Sequence, residues 1–314
     1  MTTLDVQPST HGGVDTIAFG SPPRTKTAAG VSPAFSPMRE PLGSDGPDEG
    51  FSLGFSQVDN KIIMSTEMHL AANHGDDKTV KKLLAKGEDP EAQSIFGESA
   101  LHRAVRSGSV DLVGALLAAG APVNGLDASG KTPLMTVCGT KSSKYKPGHL
   151  AAVVKLLENG ADALATDKKG HTSLGRAAAN GHVSIVLLLL KVEGAVADVT
   201  DEQGRTPLME AARGKHVKIV ELLLKLDKAA QYRKHAVAKV NVADMSGKTP
   251  LMLGAAGRRV ELIDMLLKNG ADSHAEDDQG KDALRYCRKA PDCQAKIEVA
   301  MSKASGGGGK KKGK

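Results

Sequence analysis

The sequence predicts an all-α solenoid: helix pairs stacked in layers, joined by β-hairpin or turn fingers, with disordered N- and C-terminal tails. Three observations predict it. The string Gly-x-(Thr/Ser)-x-Leu recurs at Gly97–Leu101, Gly130–Leu134, Gly170–Leu174, Gly204–Leu208 and Gly247–Leu251, with a degenerate copy at Gly280–Leu284. The glycines are spaced by 33, 40, 34, 43 and 33 residues, and self-similarity at such a period is the signature of stacked repeats. Aromatic residues make up only 3% of the 314, and Phe96 is the sole Phe after residue 55. One large core would draw on aromatics; many thin layers of Ala, Leu, Val and Ile would not.

Along the chain, residues 1–62 hold seven prolines and no hydrophobic periodicity, and read as a disordered tail. Stepping back one period from Gly97 reaches Met64, where a first copy lacks its glycine. The repeats then run at about 64–96, 97–129, 130–169, 170–203, 204–246, 247–279 and 280–302. Each copy parses in one way. Thr before Pro, as at Thr206-Pro207, is a helix N-cap with Pro at the first helical position. A small pair follows, such as Ala177-Ala178 or Ala211-Ala212, which lets a neighbouring helix approach. A second run such as Val217, Ile219, Val220 and Leu223 has apolar residues at helical spacing. Gly87, Gly120, Gly160 and Gly270 stop it. Asp127, Asp167, Asp201, Asp244 and Asp277 then lead into the next finger. The end copies are atypical, with Lys78, Lys81 and Lys82 in the first and Arg288 and Pro291 in the last, as capping repeats require. Residues 303–314 form a flexible Gly/Lys-rich tail.

Thr-Pro-Leu, Ala-Ala, Gly-His at Gly148-His149 and Gly181-His182, and Asn-Gly-Ala-Asp at Asn159–Asp162 and Asn269–Asp272 resemble the ankyrin repeat family. The resemblance covers about residues 64–302. It implies helix pairs with projecting hairpins and a concave face that binds another protein. It places on that face the residues flanking the finger glycine and those after the Ala pair: Phe96, Glu98, Arg106, Lys131, Lys168, Lys169, His171, Arg205, Arg213, Lys248 and Arg258. From the third repeat onward this set is mostly basic, which implies a partner with an acidic patch.

Two insertions break the period. Lys141–Pro147 separates the two helices of the third repeat and brings Lys144, Tyr145 and Lys146. Leu226–His235 follows the second helix of the fifth and brings Tyr232, Arg233 and Lys234. With no Gly or Pro before Gly247, that helix is expected to run on by about two turns. Both insertions are basic, and each reads either as a tolerated loop or as a partner contact. In the N-terminal tail, Ser21, Ser32 and Ser36 each precede proline and are candidate phosphosites. Its Phe clusters read either as docking anchors, for a partner or for folding back on the domain, or as drift.

Other motifs look chemical. Gly125–Thr132 satisfies G-x-x-x-x-G-K-[ST], but a phosphate loop follows a buried strand, and Val123-Asn124 is no strand. The match is read as coincidence with the finger consensus. Ten histidines invite a metal, yet there is no H-E-x-x-H or C-x-x-C, and His149, His182 and His216 share one repeat position, as do His69 and His102. They read as structural hydrogen-bonding groups. No catalytic motif, cofactor or small-molecule substrate is expected.

The net charge of +6 is uneven. Residues 1–63 carry −3 (four bases, seven acids) and residues 303–314 carry +5 from five Lys, so the repeats are near balance. Three cysteines build no disulfide framework, and no apolar run approaches a membrane span. With no signal-peptide pattern, a cytoplasmic or nuclear location is expected. The function expected is a non-enzymatic adaptor, scaffold or inhibitor, monomeric on its own. The alternative from another class is a factor that associates with nucleic acid or an acidic membrane surface through the Lys tail and the basic insertions.

Overall fold

The computed structural model describes residues 67–192, 197–225 and 238–306. Helix α1 spans 67–74. It is followed by α2 (Asp77–Ala85), α3 (Ala100–Ser107), α4 (Val110–Ala118), α5 (Pro133–Cys138), α6 (Pro147–Glu158), α7 (Ser173–Asn180) and α8 (Val183–Leu189). The remaining helices are α9 (Pro207–Arg213), α10 (Val217–Lys225), α11 (Pro250–Ala256), α12 (Val260–Lys268), α13 (Ala283–Tyr286) and α14 (Pro291–Gly306). The helices form two rows. In one, α3, α5, α7, α9, α11 and α13 each pack on the next; in the other, α2, α4, α6, α8, α10, α12 and α14 do the same.

The local causes are those read from the sequence. Thr132, Thr172, Thr206 and Thr249 accept the amide three residues on through Oγ1, at 3.0 to 3.4 Å, and Asp282 does so through Oδ1 at 2.9 Å. Pro133, Pro207 and Pro250 occupy the first helical position, where no N–H is needed. Ala177, Ala178, Ala211 and Ala212 are completely buried where α7 meets α9. A larger side chain there would force successive layers apart. The stop glycines Gly87, Gly120, Gly160 and Gly270 have φ between 83° and 89°, a left-handed conformation that costs other residues about 1–2 kcal/mol.

Five of the six fingers are pinned by an aspartate; the first has Ser94 in that place. Asp127, Asp167, Asp201, Asp244 and Asp277 each accept through Oδ1 the amides two and four residues on, at 2.8 or 2.9 Å. Among the described residues, strand-like pairing within fingers is limited to isolated antiparallel bridges, Gln93 with Ser99 and Thr166 with Thr172. Successive tips are joined by backbone. The amides of Ala128, Lys168, Glu202, Met245 and Asp278 donate to the carbonyls of Phe96, Ser129, Lys169, Gln203 and Ser246, at 2.9 to 3.1 Å.

The repeat-position histidines join layers as well. Nε2 of His149, His182 and His216 lies 3.1, 2.6 and 3.1 Å from the carbonyl oxygens of Arg106, Thr140 and Ala179, each in the preceding repeat. A carbonyl only accepts, so each imidazole donates and its protonated nitrogen is fixed.

Two features differ from or lie beyond the sequence reading. Helix α14 continues to Gly306, into the segment that composition assigns to the tail. Ser302, Lys303, Ala304 and Ser305 do not break a helix, and it ends on the first glycine of the run. The proposed extension beyond Leu226, the N-terminal tail and residues 307–314 lie outside the described residues. No described helix is long and apolar enough to cross a membrane.

Candidate functional site

The finger tips carry paired side chains on the backbone rungs just described. In chain order they are Ile95 and Phe96, Ala128 and Ser129, Lys168 and Lys169, Glu202 and Gln203, Met245 and Ser246, and Asp278 and Gln279. Ile95 is 92% exposed, Phe96 65% and Met245 74%. A folded chain normally buries side chains of this size, and neighbouring exposed ones mark contact surfaces. Sequence reading singled out Phe96 but missed Ile95 and Met245, although their places two residues before Gly97 and Gly247 were readable from the repeat register. Lys168 and Lys169 are exposed and make no ion pair among the described residues.

Behind the tips, charges from Asp167 of the third repeat to Arg213 of the fifth form a chain. Arg176 pairs with Asp167, and Asp167 Oδ1 lies 3.2 Å from His171 Nδ1. His171 Nε2 lies 3.6 Å from Asp201 Oδ2, in the next finger. Arg205 bridges Asp201 at 3.2 Å and Glu210 at 3.1 Å, and Glu210 also takes Arg213 at 2.5 Å. Burial pushes the Asp167 carboxyl up, but the amides of His171 and Lys169 and the Arg176 guanidinium hold it below its ordinary value. A cavity of about 130 Å³ opens here, lined by His171, Arg176, Asp201, Arg205, Glu210 and Arg213. The first finger has a smaller version, in which Glu98 takes Arg106 and, at 3.4 Å, Arg103.

The structure therefore divides the residues read from the sequence. Arg106, His171, Arg205 and Arg213 are engaged with carboxylates of their own domain, which leaves Lys168 and Lys169 as the tip cations of this region. Lys131 and Lys248 flank finger glycines and give their amides to Asp127 and Asp244. Arg258 lies past the C-terminus of α11, at the other end of that helix from the Asp244–Lys248 finger, with φ 55°.

The first insertion packs on the domain. A 3₁₀ turn, Ser142–Lys144, brings the Tyr145 ring between the imidazoles of His149 and His182, with centroids 5.3 and 4.4 Å apart. Lys146 Nζ donates to the Ser107 carbonyl at 3.1 Å, and Ser142 Oγ donates to the Asn180 carbonyl. The segment thus fastens three successive repeats and leaves Lys141 and Lys144 exposed. Tyr232, Arg233, Lys234, Ser21, Ser32 and Ser36 lie outside the described residues.

The Gly125–Thr132 segment cannot cradle a phosphate in this conformation. Asp127 Oδ1 already takes the amides of Ser129 and Lys131, and those of Ala128 and Gly130 donate to the carbonyls of Phe96 and Asp127. Among the described residues, no group of three or more His, Cys, Asp or Glu is placed to hold a metal.

Comparison with known proteins decides the family. Profiles for "Ankyrin repeats (3 copies)" match residues 68–145 and 142–234, and one for "Ankyrin repeat" matches 246–278, together more than half of the chain.

The chain belongs to the ankyrin repeat family.

The ankyrin repeat domain is a non-catalytic fold that mediates protein–protein interaction. The crystal structure of the human ASB11 ankyrin repeat domain superimposes with a TM-score of 0.63 at 30% identity, covering 74% of this chain and 96% of that one. The tyrosine-protein kinase HTK16 of Hydra vulgaris is 35% identical over 135 residues, which are 41% of this chain and 17% of the kinase. The ankyrin repeat protein nuc-2 of Neurospora crassa is 34% identical over 125 residues, 40% of this chain and 11% of its own length. The match thus spans less than a fifth of either relative.

Proposed function

We propose that this ankyrin chain is a non-enzymatic adaptor, scaffold or inhibitor whose protein partner docks along the finger side. The observation that carries the reading is the exposure of Ile95 and Phe96, an apolar pair at the tip that opens the row of fingers. Large side chains in a contact centre supply most of the binding energy of an interface. Two fingers further on, Lys168 and Lys169 offer charge without a competing carboxylate. The partner this surface fits presents an apolar side chain to Phe96 and an acidic stretch to the two lysines. The rest of the groove is charge-compensated and contributes register more than attraction.

The test compares the full chain with an Ile95→Ser, Phe96→Ser, Lys168→Glu, Lys169→Glu variant in quantitative affinity purification, after matching their melting curves. All four side chains are exposed, so the fold is expected to persist. The protein that the parent retains should be lost by the variant; equal recovery overturns the reading. Association with nucleic acid or an acidic membrane through the Lys tail instead requires steep salt dependence and loss on deleting residues 307–314.

A further inference from the structure

We propose that the helix-turn edge of the last three repeats is a second docking surface, which takes an extended acidic peptide. The geometry is carried by Lys215, Arg258, Arg259, Arg288 and Lys289. Lys215 and Arg258 have φ of 63° and 55° and are the only left-handed residues other than glycine among those described. In three other repeats the same turn position is Gly75, Gly108 or Gly181. Two repeats thus hold a cation where the backbone favours glycine, and strain of this kind persists where another role maintains it.

The five cations occupy three consecutive turns and are all exposed. The Lys215 stem runs over Gly257, so that a Cβ placed there would lie 3.3 Å from Lys215 Cγ, and the side chain leaves its own layer for that of Arg258. Arg258 is within electrostatic range of the seventh repeat. Burial and Asp292 push the Cys293 thiol of α14 up, while Arg258 pulls it down. The carboxylates of these turns are Glu261 and Asp292, and no ion pair joins either to the five cations among the described residues. This sets the edge apart from the finger side, where arginines meet acids of their own domain.

The spacing and surroundings select the occupant. Helix layers repeat at about 8–10 Å, and a peptide extended in the polyproline II conformation rises about 3.1 Å per residue with three residues per turn, which sets every third side chain on one face. Acidic residues at every third position therefore meet successive layers. Single-stranded nucleic acid also needs aromatic faces for its bases. Of the described aromatics, only Tyr286 is in these repeats, and its hydroxyl is held by Asp277 on the finger side.

The test uses the full chain and a fluorescein-labelled peptide with Glu at every third position, separated by Gly and Ser. Controls are a peptide of equal composition with contiguous Glu, and an oligothymidylate of equal charge. The key variant is Lys215→Gly, Arg258→Gly, Arg259→Ser. It removes three charges while placing glycine at the left-handed positions and a capping residue before α12, so its melting temperature should not fall. The spaced peptide is expected to bind the variant at least tenfold more weakly than the parent, and to bind the Lys168→Glu, Lys169→Glu variant like the parent. That second comparison separates this surface from the finger side. The proposal is overturned by equal affinity for parent and key variant, by equal affinity for the contiguous peptide, or by no binding to the parent. Tighter binding of the oligothymidylate, lost in the key variant, overturns it in favour of a nucleic-acid edge.

Discussion

His182 Nε2 lies 2.6 Å from the carbonyl oxygen of Thr140, a residue of the preceding repeat, and the Tyr145 ring stacks on the same imidazole. The contact joins two layers through a buried imidazole, and a pH dependence follows. Burial pushes the pKa of His182 below the ordinary value of about 6.5, and burial does the same to His102. Below about pH 6.5 the unfolded chain then binds protons that the folded chain refuses, so stability falls as the pH falls. Each such proton contributes at most about 1.4 kcal/mol per pH unit. The carboxylates held low by their partners, Glu98 and Asp167, are lost only in a further step below about pH 4. Melting curves at pH 7.5 and 5.5 should show the lower temperature at 5.5; a constant or rising value rules this out.

Ala178→Asp and Ala212→Asp should each open the stack where they lie. Both sites are completely buried where α7 meets α9, and a carboxylate there finds no partner, at a cost of several kcal/mol. Repeats depend on their neighbours alone, so hydrogen exchange should accelerate in α7 to α10 before α2 to α4. Uniform acceleration along the chain would contradict this.

Lys215→Gly and Arg258→Gly should each stabilise the fold by about 1 kcal/mol, because relief of the left-handed penalty exceeds the added backbone entropy of glycine. Gly181→Ala should do the reverse by at least as much. Its φ is 80°, and a Cβ would lie 2.6 Å from the His216 ring. Urea denaturation of the three variants gives the order directly; a stabilised Gly181→Ala would sink the account.

Tyr145→Ala should cost about 2 kcal/mol, since it removes an aromatic ring from between two imidazoles. Tyr145→Phe keeps the stack and should change stability by less than 1 kcal/mol. If the alanine variant melts like the parent, the insertion is a passive loop.

The repeat layers were legible because their signals are local. A Thr three residues before the amide it caps, a glycine where φ must be positive, and an aspartate two and four residues before its amide donors all lie within one turn. The contacts that make the surface were not, because they join residues a whole repeat apart. His171 meets Asp201 across a finger, Lys215 crosses over Gly257, and Tyr145 needs His182 to complete its stack. Arg258 shows the limit most directly. Its place after the Ala pair put it, by the family resemblance, on the concave face; its alignment with Gly75, Gly108 and Gly181 fixes it in the turn, and that alignment was present in the sequence.

The rungs between finger tips run from main-chain amide to main-chain carbonyl, Ala128 to Phe96 and onward to Asp278 and Ser246. No side chain is needed to form them. Substitution at Ile95, Lys168, Glu202 or Met245 therefore leaves the frame standing. In such an arrangement, heritable change in partner choice and heritable change in stability draw on different atoms. A lineage can trade one partner for another by point substitutions at the tips, without first acquiring a compensating change in the stack.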